Sequence, residues 1–416
     1  MVRLPYGEKY LTLRVPPKAK VLTPKKTRPI KAPIKYAQSR ISTYFRKNEP
    51  FFHGFAGKKA CVVVSDNTRF AFNNVIVPPL LKELEGHGIA RNDITILVAN
   101  GLHAPMNSAD LVENMGEEIV NNFHIENHDP YENLVSFGTT SRATPLFFNK
   151  RFVESDLKIA TGLVVPHFHA GFGGGYKSVV IGIAGRDTIL KNHRFEMVAH
   201  DKARYGYLDG NPIYEDILEG GRKSGLHFIV NVTVDSDRRM THLFIGEPGA
   251  THRIAAEAVT GDVKVICHEL FDIVVTTNGG YPLDRNLYQC VKGVAVAELI
   301  VKPGGVIILA GECRDGVGHE VFQRYMSFGK DPQAVLEKVR NDEPVEDQDN
   351  IQILARVLTK ARVIIVSRGL EYDTVHKMKM GYAKSLREAM GKYVQEKKGR
   401  SIAVVPGGPY VLPVGV

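Results

Sequence analysis

With 416 residues, 44% of them apolar and 24% charged, the chain can bury a sizeable core across two or more domains, which excludes a disordered tail. Its formal charge of +9, from 54 Lys and Arg against 45 Asp and Glu, favours anionic ligands. No apolar run approaches the roughly eighteen residues of a membrane span and no hydrophobic signal core opens the chain. The expectation is a soluble, cytoplasmic protein without a membrane partner.

The opening "MVRLPYGEKYLTLRVP" alternates apolar and polar residues like a strand. A proline-rich arm follows, carrying Lys18, Lys20, Lys25, Lys26, Arg28, Lys31 and Lys35. Aromatics barely interleave with these cations and no recognition motif follows, so the arm reads as solvated and no nucleic-acid partner is expected. Cys61, Cys267, Cys290 and Cys313 are scattered without a CxxC pair, as in a reduced chain.

Short β-branched runs then recur: "KACVVVSD", "DITILVANG", "LKIATGLVV", "HFIVNVTV", "FDIVVTTNGG", "GGVIILAGE" and "ARVIIVSRG". Helix-patterned stretches separate several of them, which predicts an α/β protein with largely parallel sheets. A second βαβ-built domain starts near Asp272, its sheet covered by the helices "DPQAVLEKVRN", "NIQILARVLTKA" and "VHKMKMGYAKSLREAMGKYVQEKKG". The predicted division is an amino-terminal α/β domain over 1–268 and a carboxy-terminal α/β domain over 269–400. The tail 401–416, a strand and then a loop, is expected to return to the first domain. The active site is expected in the inter-domain cleft, at the carboxyl ends of strands.

The residues able to do chemistry lie at those ends. In "VVPHFHAGFGGGYKSVVIGIAG" a run of glycines precedes Lys177, yet Tyr176 stands where a P-loop needs glycine, and the G-x-G-x-x-G spacing also fails. A phosphate on Gly173, Gly174 and Gly175 and a plain structural loop both remain open. His103 follows a strand in "VANGLHAP", His167 and His169 stand before the glycines, and His193 in "LKNHRF" is expected at the end of a helix opened by Ser178. Imidazoles there can act as general bases or as ligands to a borderline metal. Without HExxH or CxxC, a metal held wholly by protein side chains is not supported, whereas one histidine could ligate a metal whose other ligands come from elsewhere. In "VVVSDNTRF", Arg69 offers a planar fork for a carboxylate or phosphate and Asp66 can orient it, or the pair is a capping aspartate with a solvated arginine. Gln289 and Lys292 share one face of a helix expected directly after the Gly279-Gly280 turn, either at the site or as surface residues.

Taken together these motifs resemble the nickel-dependent lactate racemase family over most of the chain. D-x-T-R spans Asp66 to Arg69, G-x-H spans Gly101 to His103, and H-x-x-A-G-F-x-G-G-x-K spans His167 to Lys177, with His193 at the family's interval. N-G-G-Y-P-L-D-x-N-x-Y-Q-x-V-K-G runs from Asn278 to Gly293, and an E-C-x-D-G-x-G segment lies within Gly311 to Gly318. Any one is weak; their order is specific.

The resemblance implies a racemase or epimerase of a small-molecule 2-hydroxy carboxylate, with a nickel-pincer nucleotide as cofactor. That cofactor is a pyridinium-3-thioamide-5-thiocarboxylic acid mononucleotide carrying nickel. By the same resemblance Lys177 tethers it covalently, His193 ligates nickel, and Asp66, Thr68, Gly173, Gly174 and Gly175 contact it. His103 and His167 are the paired acid/base residues of a reversible hydride transfer. Arg69, Tyr288, Gln289 and Lys292 bind substrate, and proteins that build the cofactor are partners. Two residues depart from the family: His169 stands in place of an aromatic and Tyr176 in place of a basic residue. His169 could bind a polar or acidic substrate tail, so the implied substrate is a 2-hydroxy acid rather than lactate in particular. A sugar-acid dehydratase or lyase without the tethered cofactor, and a non-enzymatic phosphate- or nickel-binding protein, are the alternatives.

Overall fold

The structure is a computed structural model that describes residues 1–235, 237–394 and 400–415. All of the β-branched runs form strands: Ala60–Ser65, Ile94–Ala99, Leu157–Leu163, Phe228–Val234, Phe271–Thr277, Val301–Ala310 and Arg362–Val366. They are apolar without alternation because both of their faces are covered; every residue of Phe228–Val234 is buried.

These strands sort into two six-stranded sheets. The first runs, edge to edge, Met240–Gly246, Phe228–Val234, Leu157–Leu163, Ala60–Ser65, Ile94–Ala99 and His124–Asn127. It is parallel except for the hairpin between Phe228–Val234 and Met240–Gly246. The second is parallel throughout, in the order Gly381–Ala383, Arg362–Val366, Val301–Ala310, Phe271–Thr277, Ile402–Val405 and Lys20–Val21. In the first sheet the chain proceeds outward from Ala60–Ser65 to Ile94–Ala99 on one side and takes Leu157–Leu163 on the other. That reversal leaves a crevice beyond the carboxyl ends of these strands, where α/β sheets bind ligands.

Sheet membership corrects the expected division in two places. The strand Ile402–Val405 pairs with Phe271–Thr277 in the second sheet, because its four buried apolar residues need a parallel neighbour and Ile273 to Thr276 provide it. Only the last tail strand, Leu412–Val414, turns back to Lys264–Ile266, the segment that leaves the first half. At the other terminus, the predicted single strand is a hairpin, Val2–Tyr6 with Lys9–Leu13, turning at Gly7 with φ +53°. Its Leu4, Tyr6 and Leu13 are buried against Ile273, Val275, Val306, Ile308 and Val404, so the first residues of the chain complete the second sheet's core.

Two predicted helices are also broken. The segment from Ser178 to His193 contains the short helix Lys177–Val180 and the helix Arg186–Asn192, separated where Gly182 and Gly185 fit against neighbours that leave no room for a Cβ. The long segment from Val375 holds the end of the helix Tyr372–Lys377, the strand Gly381–Ala383 and the helix Leu386–Val394. Gly381 permits that strand, since a Cβ there would lie 2.3 Å from Ile364 Cδ1 across the pair. Residues 395–399 of the predicted helix lie outside the described residues. The expected helix beyond the Gly279-Gly280 turn starts at Leu287, capped by the Asn286 side chain on the Gln289 N–H.

The arm 23–32 leads into the helix Pro33–Lys47, which buries Ala37, Ile41 and Phe45 at four-residue spacing. All four cysteines are free and buried. Among the described residues no helix is long and apolar enough to cross a membrane. Because Leu4 is fully buried, Leu4→Ala should lower unfolding free energy by about 2–5 kcal/mol in urea denaturation, the range for a core cavity. A loss below about 1 kcal/mol would detach the hairpin from the core.

Candidate active site

Beyond the carboxyl ends of the first sheet lies a cavity of ≈ 200 Å³. Its walls come from both halves of the chain: the loops after Ala60–Ser65, Ile94–Ala99 and Leu157–Leu163, then the helix Leu287–Ile300 and the segment 345–350. Asp66, Thr68, Arg69, His103, His167, His169, Gly173, Gly174, Lys177, His193, Tyr288, Gln289 and Lys292 all line it. Gly175 does not; its N–H donates to Asn231 Oδ1 at 2.9 Å, and a Cβ there would strike His252.

Strand order places His103 and His167 on either side of Asp66 and Arg69. Asp66 is buried, and its Oδ2 lies 2.6 Å from His103 Nδ1. Its Oδ1 accepts from the Thr68 N–H at 3.2 Å and the Thr68 hydroxyl at 2.6 Å. Burial opposes ionisation of Asp66, but His103, Arg69 and Thr68 hold its carboxyl below the usual range. Asp66, expected with Thr68 as a cofactor contact, thus bonds His103 through one oxygen and Thr68 through the other. An ionised partner at Nδ1 fixes that tautomer and leaves Nε2 free to take a proton.

His167 lies in the hairpin of Pro166–His167 with Gly171–Phe172, where Gly171 at φ +77° makes the tight return. Its Nδ1 accepts from the Ala170 N–H at 3.3 Å, and its ring stacks on Phe168. Burial, then His169, Lys177, Arg69 and Lys292, hold this imidazole well below its ordinary value. His167 is thus neutral at neutral pH.

The glycine run carries Lys177 into the cavity. Gly174 has φ +79°, and a Cβ would lie 2.8 Å from Val164 and 2.9 Å from Asn231, so only glycine passes here. His252 Nε2 bonds the Gly173 carbonyl from beneath at 2.9 Å. Burial, followed by the Arg69 guanidinium, pushes the Lys177 ammonium down to about 8. Burial with Arg69 and Lys177 holds Lys292 well below the lysine range, and its Nζ donates to Gln289 Oε1 at 2.5 Å. Tyr288 stacks on His319 with ring centroids 3.9 Å apart.

His193 caps the helix Arg186–Asn192, and its Nε2 is buried without a hydrogen-bond partner. Burial pushes this imidazole down to about 3. His169 meets it edge-on, with ring centroids 4.6 Å apart, and His169 Nε2 bonds Asp349 Oδ2 at 2.9 Å. With Nε2 on Asp349 and Nδ1 buried, His169 faces His193 and Asp349 where it lines the cavity.

Asn231, His252, His319 and Asp349 were not singled out by the sequence reading. Asn231 carried a signal, a polar residue within the apolar run "HFIVNVTV"; Asp349 carried none, being one acid among several near a helix start.

Two family models match the chain, the lactate racemase N-terminal domain over residues 6–206 and the lactate racemase C-terminal domain over residues 266–412. A lactate racemase of Thermoanaerobacterium thermosaccharolyticum is 39% identical over 364 residues, 86% of this chain and 85% of its own length. One from Lactiplantibacillus plantarum is 38% identical over 359 residues, 85% of this chain and 84% of its own. The chain belongs to the lactate racemase family. The lactate racemase apoprotein structure from T. thermosaccharolyticum superposes with a TM-score of 0.90 at 35% identity, covering 99% of both chains. A Thermotoga maritima protein at 18% identity shares the fold, with a TM-score of 0.69 over 94% of this chain and 100% of its own. These lactate racemase relatives support a racemase function.

The depressed Lys177 makes a measurable expectation. Its labelling by an amine-selective reagent, followed by peptide mass at varied pH, should rise with a midpoint near 8, and Arg69→Met should move that midpoint upward by removing a cation that disfavours the ammonium. A midpoint near the ordinary 10.5 would contradict the described environment.

Proposed function

We propose that the chain racemises or epimerises a 2-hydroxy carboxylate by reversible hydride transfer, with a nickel-pincer nucleotide tethered to Lys177. The observation that carries this reading is the pair of imidazoles, His103 and His167, flanking Arg69 in a cavity that also holds a readily deprotonated lysine and an unpartnered histidine nitrogen.

The residues fit the group. His193 Nε2, buried and without a partner, is a lone pair available to a metal. The Lys177 amine, near 8, is largely uncharged at mildly basic pH, the form that attacks an acyl centre. Gly173 and Gly174 line the cavity without side chains, leaving backbone free to approach a phosphate. Loading would depend on proteins that build the nucleotide. When bound, the group supplies an acceptor for hydride from the α-carbon, so the reaction avoids building negative charge beside a carboxylate.

The protein's own residues do the rest. Arg69 presents a planar fork to the substrate carboxylate and Lys292 adds a second cation, held in place by Gln289. His103 takes the hydroxyl proton at Nε2, and the imidazolium so formed is stabilised by the ionised Asp66 on its other nitrogen. His167, neutral in its buried setting, serves the opposite enantiomer from across the strand that carries Arg69. Inversion would require the bound keto acid to present its other face, where the opposite imidazole would return the hydroxyl proton. Positive charge from Arg69 and Lys292 favours an alkoxide as it develops.

Three outcomes follow for the loaded enzyme. In heavy water the α-hydrogen should be retained through racemisation, as read by mass of the product enantiomer; solvent exchange would point to carbanion chemistry and a lyase-like course. His103→Ala and His167→Ala should each lower turnover by about 10²–10⁴-fold. Asp66→Asn should lower kcat/KM equally in both directions for a racemase, because enantiomers have equal free energy and the ratio of the two values is fixed; chiral chromatography of initial rates checks it.

A further inference from the structure

No spacing in the sequence marks a metal site made of protein side chains alone, yet the fold gathers two imidazoles and a carboxylate. His169 sits on the turn between Pro166–His167 and Gly171–Phe172, His193 caps the helix Arg186–Asn192, and Asp349 lies in the first turn of the helix Gln348–Lys360. One ring nitrogen from each histidine and a carboxylate oxygen of Asp349 lie within 4.8 Å of one another. His169 is only 1% exposed, and both its Nδ1 and His193 Nε2 are buried with no hydrogen-bond partner. Unmade bonds at two adjacent buried imidazoles are costly, and a ligand that used their lone pairs would relieve that cost. Two imidazoles and one carboxylate are a donor set for borderline divalent transition metals.

We propose that, when Lys177 is unmodified, His169, His193 and Asp349 together bind one divalent transition metal ion of the zinc, cobalt or nickel kind. Metal–ligand bonds of about 2.0–2.2 Å would separate the donors by roughly 3.4 Å, so small side-chain rotations close the set. The cavity supplies the entry path and the remaining coordination positions. The site uses the chain's own side chains and does not depend on the tethered nucleotide. If the proposed tethered reading also holds, an ion on this set occupies His193 and must leave before that residue can serve the cofactor.

The test uses the full chain from a host without the pincer pathway, shown by intact mass to be unmodified and stripped with a chelator. Cobalt(II) titration followed by visible absorption should saturate at about one ion per chain, and X-ray absorption of the complex should show two imidazole ligands. His169→Phe and Asp349→Asn, each with a cooperative melt, should weaken binding by at least about tenfold, while His53→Ala at an exposed position should not. Failure of the wild-type chain to bind cobalt stoichiometrically overturns the proposal, as does unchanged affinity in both variants. Should neither variant fold, the imidazole count decides alone: one or none on the wild-type complex also overturns it.

Discussion

Three basic side chains, Arg69, Lys177 and Lys292, share one small cavity, and most of the site's chemistry follows from their burial there and then from their mutual repulsion. Burial and like charge disfavour ammonium on both lysines, which makes Lys177 a usable nucleophile and primes Lys292 to gain most from an incoming carboxylate. The same field keeps His167 neutral. Two buried carboxylates, Asp66 and Asp349, are the local counterweight, and each is already committed to a histidine.

The scaffold exists to hold those charges together. Parallel strands with both faces covered provide rigid carboxyl ends, and the reversal of strand order at Ala60–Ser65 opens a crevice between loops distant in sequence. The second half contributes Gln289 and Lys292 from one helix and Asp349 from the start of another. Hydrogen bonds such as Gln348 Nε2 to the His193 carbonyl and Gln352 Nε2 to the Phe195 carbonyl tie that second helix to the first half.

Much of this was legible in the sequence. Each β-branched run became a strand because such runs suit a sheet buried on both faces, and the motif residues converged because strand-end loops are adjacent whatever the distance along the chain. Sheet partners were less legible. "SIAVVP" carries no mark of which sheet it joins, and the amino-terminal hairpin depends on Gly7 turning a run that otherwise reads as one strand. Gly175 resembled its neighbours in the cradle, yet Asn231, more than fifty positions on, decides where its N–H points. Asp349 was invisible for the same reason: its role is set by His169 and His193, which only the fold brings near.

The most direct test of the central claim is the mass and metal content of Lys177 in protein produced together with the pincer-cofactor pathway. A mass increment confined to the Lys177 peptide, with about one nickel per chain and turnover of a single-enantiomer 2-hydroxy acid to its mirror image, is the predicted result. An unmodified Lys177 without nickel, from a host in which a related lactate racemase is loaded, would contradict it.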